Sequence, residues 1–276
     1  MAVLAGVAGA VDGSNAIRVW SVSTTNDLQA YVHSGTQQGT GRLAGNGDWS
    51  GNYTAYGHTP DVMPGETFTF TGSIDGTNGA TGSALVESVE IAWDIEAGTI
   101  IQHVVNFASN GALTLGAAAA TDVVVPDPPT SIGCKLTLAA PAATPAFSEV
   151  TDIRTMTLTI TSSNPSYASS TTAAATKRLR GNIDFTFTFS VYEDDFADIP
   201  AAGDIQSARV YVDATTFWDL NWIMFGEASG LEVDIEGPGI VGATLNSSMN
   251  GFTGIAATPT VGFIKTPAAV TYWPIP

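Results

Sequence analysis

Cysteine is almost missing from this 276-residue chain. Cys134 stands alone, so no intrachain disulfide and no CxxC metal site can form, and the redox compartment stays open. Basic residues are scarce too. Nine Lys and Arg face 26 Asp and Glu, and the net charge of −17 repels phosphate backbones and anionic membranes wherever salt leaves it unscreened. The one basic cluster, Lys177, Arg178 and Arg180, is too short to outweigh that field and reads as a solvated or subunit-contacting strand edge. No apolar run reaches the roughly 20 residues of a membrane-spanning helix. The segment from Ala2 to Val11 lacks a basic flank and stops at Asp12, so it reads as a strand or arm rather than a signal. Charged residues make up only 13% of the chain, about half the usual share. Thr, Ser, Ala and 29 Gly must cover the surface instead, as in turn-rich β-proteins and in subunits whose faces neighbours bury.

Catalytic signatures are also lacking. His33, His58 and His103 are far apart and fit no HExxH or HxH spacing. There is no GxSxG elbow and no Gly-rich loop that opens a phosphate-binding helix. Glu193, Asp194 and Asp195 are adjacent in a turn, whereas paired catalytic carboxylates come from separate strands that face a cleft. Asp75-Gly76-Thr77-Asn78-Gly79 is rich in oxygen ligands but lacks the full calcium series and its closing Glu, so a hairpin turn is the reading. No enzyme activity, metal or cofactor follows from these residues.

What the chain does have is self-similarity. Arg42-Leu43-Ala44-Gly45-Asn46-Gly47-Asp48-Trp49 aligns with Arg178-Leu179-Arg180-Gly181-Asn182-Ile183-Asp184-Phe185. Tyr56 with Tyr192 and Pro64 with Pro200 keep the step that leads from Leu43 to Leu179. Asp94-Ile95-Glu96, Ile100 and Asn110-Gly111 match Asp234-Ile235-Glu236, Ile240 and Asn250-Gly251, and all of these share the slightly longer step from Asp94 to Asp234. A few inserted loop residues account for the difference. Upstream, the stretch from Trp20 to Asn26 parallels that from Leu158 to Asn164.

Each copy alternates with period two, the signature of half-buried strands. Phe68 and Phe70 alternate with Thr67, Thr69 and Thr71, and Phe185, Phe187 and Phe189 alternate with Asp184, Thr186, Thr188 and Ser190. Val89, Ile91, Trp93 and Ile95 alternate with Glu90, Asp94 and Glu96; Leu231, Val233 and Ile235 alternate with Glu232, Asp234 and Glu236. The expectation is an all-β chain of two tandem, similar sandwich or barrel domains with extended terminal arms. The divisions are an N-terminal arm over 1–14, repeats over 15–111 and 154–251, a linker over 112–153 with a possible strand at Lys135–Leu138, and a Pro-rich C-terminal arm over 252–276. Phe217–Phe225 is an aromatic run bounded by turns, which makes Trp218, Trp222 and Phe225 candidates for core or subunit interface, together with Lys177, Arg178 and Arg180 at the basic edge.

The tandem β repeats, the segment from Gly45 to Ala55 and the acidic strand from Ser88 to Glu96 resemble tail tube (major tail) proteins of tailed bacteriophages. The resemblance covers most of both repeats. It implies a virion structural subunit, assembled in the host cytoplasm, with no enzymatic activity and no cofactor. Such subunits form stacked rings, and double-domain members form trimers with pseudo-sixfold symmetry. Partners would be other copies and other virion proteins, DNA would pass without specific binding, and no membrane would be involved. Glu90, Asp94, Glu96, Glu232, Asp234 and Glu236 are the candidates for lining an acidic lumen, since carboxylates keep DNA mobile. An ordinary solvated outer face suits the same residues equally well. Two other functions fit the sequence: a capsid decoration or head-surface protein, and a carbohydrate-binding adhesin module that stacks sugars on Trp49, Trp93, Trp218 or Trp222.

Overall fold

The computed structural model describes residues 2–6, 8–11, 17–32, 40–75, 77–117, 128–140, 145–169, 175–192, 200–201, 203–214, 216–225, 229–233, 241–249, 261–265 and 270–273. Among them every regular element is a β-strand. The first half carries β1 (Ala2–Gly6), β2 (Ala8–Val11), β3 (Ile17–Tyr31), β4 (Gly41–Tyr56), β5 (Thr67–Ser73), β6 (Asn78–Asp94) and β7 (Gln102–Ala117). The second carries β8 (Lys135–Ala139), β9 (Ser148–Val150), β10 (Ile153–Ser162), β11 (Ser166–Tyr167), β12 (Lys177–Arg178), β13 (Ile183–Tyr192), β14 (Ile205–Tyr211), β15 (Thr216–Phe225), β16 (Ser229–Val233), β17 (Val241–Met249), β18 (Val261–Lys265) and β19 (Val270–Trp273). Seventeen of these strands form one sheet that curls into a half-barrel, and β11 and β12 form a separate ribbon.

In the first half β3 pairs with β4, β4 with β7, β7 with β6 and β6 with β5. In the second, β10 pairs with β13, β13 with β17, β17 with β15 and β16, and β15 with β14. The registers correspond as well. Phe107 lies opposite Gly51, and the residues reached by the two steps read from the sequence, Ser247 and Phe187, lie opposite each other too. The large side chain changes strands while each pair keeps one large and one small member. Ala30 faces Arg42 as Ser166 faces Arg178, and Ala8 faces Ser73 as Lys135 faces Tyr211. On this ladder the place of Trp20 opposite Tyr53 is held by Met156 opposite Phe189, two residues before Leu158.

The halves meet along β6 and β10, with Ser88–Asp94 antiparallel to Thr155–Thr161. That ladder makes the sheet continuous, and the buried apolar side chains form one cluster that runs through both halves. The all-β expectation holds, but the separate cores expected of two sandwich or barrel domains do not appear among the described residues. The stretch from 112 to 153 is more than a linker. β7 continues to Ala117, and the expected strand at Lys135–Leu138 falls within β8, which pairs with β14 and β9. The described terminal strands also lie in the sheet of their own chain, β1 on β3, β2 on β5, β18 on β15 and β19 on β18.

Alternation decides what the core receives. Trp20 and Val22 from β3, Trp49 and Tyr53 from β4, Phe68 and Phe70 from β5 and Phe107 from β7 all point inward and are nearly or fully buried. Phe107 is the hub: its ring lies 4.9 Å from Phe70, 5.3 Å from Phe68 and 6.0 Å from Trp49, edge-on to the last two. Gly51 makes room for it, because a Cβ there would strike the Phe107 ring and the Ser21 carbonyl. Phe107→Ala is expected to destabilise the chain by about 3–5 kcal/mol, through lost burial plus a cavity that the surrounding rings cannot close. Chemical denaturation of purified protein measures it; a loss under about 1 kcal/mol would show that the hub is dispensable.

Candidate functional site

The outward side of β3, β4, β7, β6, β10 and β13 is lined with hydroxyls and amides. Side chains there bond one another across strands: Ser21 donates to Asn52 at 3.0 Å, Asn106 to Ser88 at 2.9 Å, and Thr155 and Ser190 share a bond of 2.6 Å. Thr157, Thr159 and Thr161 of β10 lie opposite Thr188, Thr186 and Asp184 of β13. The face owes its polarity to short neutral groups already paired with each other, with few charges.

The six lumen candidates are placed differently from one another. Glu90 is exposed on this face, opposite Val104 on one side and Thr159 on the other. Asp94 braces the turn after β6 by accepting the Ala97 N–H at 3.0 Å. Glu96 is an ion-pair partner: Arg154 Nε donates to it at 2.9 Å and Tyr192 Oη at 2.9 Å, while the Arg154 guanidinium lies 4.4 Å over the Tyr192 ring. The Arg154 hydrogen bond, aided by Tyr192, holds the Glu96 carboxyl below its ordinary range. Glu232 lies in β16, with its side chain outside the described set; Asp234 and Glu236 lie outside the described residues.

The interface candidates also separate. Trp218 is fully buried and Phe225 is 2% exposed, so both are core residues of this chain. Trp218 Nε1 donates to the His58 carbonyl at 3.1 Å, which satisfies its one polar atom. Trp222 is in β15, but its side chain is outside the described set. Lys177 pairs with Tyr167 in the β11–β12 ribbon, and Arg180 is exposed and packs over Gly65.

Arg178 joins the two halves. Its guanidinium grips Asp48 with two bonds of 3.0 and 2.9 Å and donates to the Ser109 carbonyl at 2.8 Å and the Ser109 hydroxyl at 2.9 Å. Alongside, Thr176 N–H donates to the Gly47 carbonyl at 3.0 Å. The segment before β13 therefore lies on β4 and β7, and a planar fork with a carboxylate is the geometry Arg serves best. Burial pushes the Asp48 carboxyl up, but the Arg178 and Ser109 hydrogen bonds and the Arg178 charge outweigh it and hold the group below the ordinary carboxylate range. Sequence reasoning singled out Arg178 and Asp48 separately, as members of matching octets. The usable signal was that both octets keep an Arg six positions before an Asp.

Other candidate chemistry is absent from the described residues. No three His, Cys, Asp or Glu side chains there converge on a metal site. His103 is buried with Nδ1 3.0 Å from the Gly57 carbonyl, and burial lowers its pKa, which favours the neutral ring. His33 and the 193–195 acids lie outside the described residues. Burial, with Asp213 nearby, pushes the Cys134 thiol up to about 11, so it is a poor nucleophile. Asp75 spends its oxygens on the Thr77 and Asn78 N–H groups and the Asn78 amide, an Asx-type hairpin turn. No family model matches the chain, and no curated protein matches it.

Arg178→Met is expected to cost about 2 kcal/mol, a figure discounted for the partial exposure of Asp48. The sign with pH follows from the lowered Asp48 pKa: the pair stabilises above the ordinary carboxylate range and is lost as pH falls through the folded value. Denaturation between pH 3 and 7 should thus show the variant losing less stability on acidification than the parent. Parallel curves would refute the tie.

Proposed function

We propose that this chain is a structural subunit that assembles with its own copies into rings of the tail-tube kind, with the hydroxyl-lined face towards a channel that DNA traverses. What supports the reading most is that the pairings β3–β4, β4–β7 and β7–β6 of the first half have parallels in β10–β13, β13–β17 and β17–β16 of the second, and that the halves join in-sheet through β6 and β10. Two such units in tandem are a duplicated assembly module. Three chains would supply six modules, and a ring closed by the same junction at every step needs only one kind of contact.

The face suits passage of a polyanion. Several of its hydroxyls bond neighbouring side chains, and three arginines have partners: Arg154 with Glu96, Arg178 with Asp48, and Arg18 with Gln102 at 2.9 Å. Two of these forks are neutralised by carboxylates, while Glu90 and the overall charge add repulsion. Of the four sugar-stacking candidates, Trp49, Trp93 and Trp218 are buried, and the Trp222 side chain lies outside the described set.

Electron microscopy of concentrated protein should show rings or tubes of sixfold appearance, and native mass spectrometry should give three chains per ring. A monodisperse monomer at millimolar concentration would refute the reading. In assembled tubes, Glu90→Lys should create salt-sensitive DNA retention that the parent lacks; equal retention by both would remove this face from the channel.

A further inference from the structure

We propose that β1 is a removable strap: a second copy of this chain displaces it by laying its β16 along Trp20–Thr24, while Arg42 docks on Asp184 of that copy. This rests on the ring reading above and specifies how one copy recognises the next.

The chain contains the junction once in made form and once unmade. In the second half the outer edge of β10 is taken by β6, with Trp93 opposite Met156 and Val89 opposite Ile160. The counterpart of β10 is β3, and its edge is covered by β1, from Ala2 opposite Thr24 to Gly6 opposite Trp20. The counterpart of that stretch of β6 is β16, which among the described strands pairs only with β17. Carrying the β6–β10 register over by the repeat steps, Asp94 to Asp234 for β6 and Leu43 to Leu179 for β10, puts Val233 of a second copy opposite Trp20 and Ser229 opposite Thr24. Those are the same five β3 residues that β1 now covers.

The made junction also shows where a displaced strap goes. β2 and β8 are counterparts, so the residues that precede β8 correspond to β1. The described ones, 128–134, do not pair with β10. Ile101 N–H donates to the Pro129 carbonyl and Ser131 N–H to the Thr99 carbonyl, both at 2.8 Å, which sets them beyond the end of β6. Where a neighbouring strand holds the edge, the leading segment has moved off it.

The hairpin of β3 and β4 supplies the recognition. Its counterpart, through β11 and β12, lies across the first half, with Arg178 on Asp48 and Asn164 Nδ2 donating to the Val86 carbonyl at 2.9 Å. In the hairpin itself Arg42 is exposed, and Leu28, at the position of Asn164, is 57% exposed. Asp184 is exposed and posed like Asp48: each accepts the N–H of the following residue, at 2.8 and 2.9 Å. Exchanging five strap pairs for five β16 pairs is nearly neutral in hydrogen bonding, so hairpin contacts decide the direction. The strap, Ala-Val-Leu-Ala-Gly, brings mostly small residues of weak strand preference.

Charge exchange tests the pairing and a disulfide tests the strap. Arg42→Asp and Asp184→Arg should each raise the concentration needed for ring formation about tenfold or more, and the double variant should return it to within about threefold of the parent. Both side chains are exposed, and circular dichroism and thermal melts verify that each variant folds. Ala5→Cys with Ser21→Cys, opposite each other in the β1–β3 ladder, should hold the oxidised protein as monomers that assemble on reduction. Ser21→Cys with Glu232→Cys should instead cross-link neighbouring chains within rings. Rings that form normally from both single charge variants, from the oxidised strap variant, or without the 21–232 cross-link would overturn this inference and leave the ring reading standing. Failure of the parent itself to assemble would overturn both.

Discussion

Seven residue pairs between β6 and β10 govern the rest of this molecule. Antiparallel backbone bonds leave neither strand with an open edge at that point, so the two halves must share a sheet, and once they share a sheet they share a core. The inward residues of β6, Val89, Ile91 and Trp93, then touch a core that also contains Met156, Leu158 and Ile160. Arg178 and Asp48 complete the union from outside the ladder, where a bidentate pair fixes orientation as well as distance. Neither half can open along this line without exposing apolar surface and leaving the partly buried Asp48 carboxylate without its cation.

Much of the strand content was legible because period-two alternation is a local property. Phe185, Phe187 and Phe189 had to share a face, and they do, each at 1% exposure or less. Lys135–Leu138 was legible for the same reason. Its partner was not: β8 ends at Ala139 and β14 begins only at Ile205, and no local pattern says which edges meet. That separation turned an integral strand into a supposed linker. For Trp218 and Phe225 the sequence leaves core and subunit interface both open, since an apolar run bounded by turns is buried whether its own chain or a neighbour covers it. Glu96 was read as a bare carboxylate because its cation, Arg154, lies far along the chain, on the next half's first long strand.

The acidic balance of the chain also takes a different meaning once the carboxylates have places. Several are turn acceptors: Glu66 for the Met63 N–H, Asp94 for Ala97, Asp204 for Ala201 and Asp213 for Thr216. Others neutralise cations, as Asp219 does for Arg209 and Glu149 for Lys135. Short loops between long strands leave backbone N–H groups without ladder partners, and a nearby Asp or Glu is the simplest local remedy. Part of the negative composition therefore serves turns and ion pairs within the chain.

That allocation changes how a polyanion would experience the sheet face. A dense lining of carboxylates would repel DNA only within about a Debye length, and it would also strain the sheet by placing like charges on adjacent strands. Paired Ser, Thr and Asn side chains avoid that repulsion, and some of their donors already have acceptors within the sheet. On the proposed reading the net charge of the chain adds repulsion within the same screening length, while the groups at contact distance are mostly neutral. Arg154 and Arg178 are held by carboxylates across the two halves and Arg18 by the Gln102 amide within the first, so each would have to give up a partner before it could bind a phosphate. Two of the ion pairs that tie the halves together thus also occupy arginines, so on the proposed reading weak DNA binding and integrity of the sheet would share a physical origin.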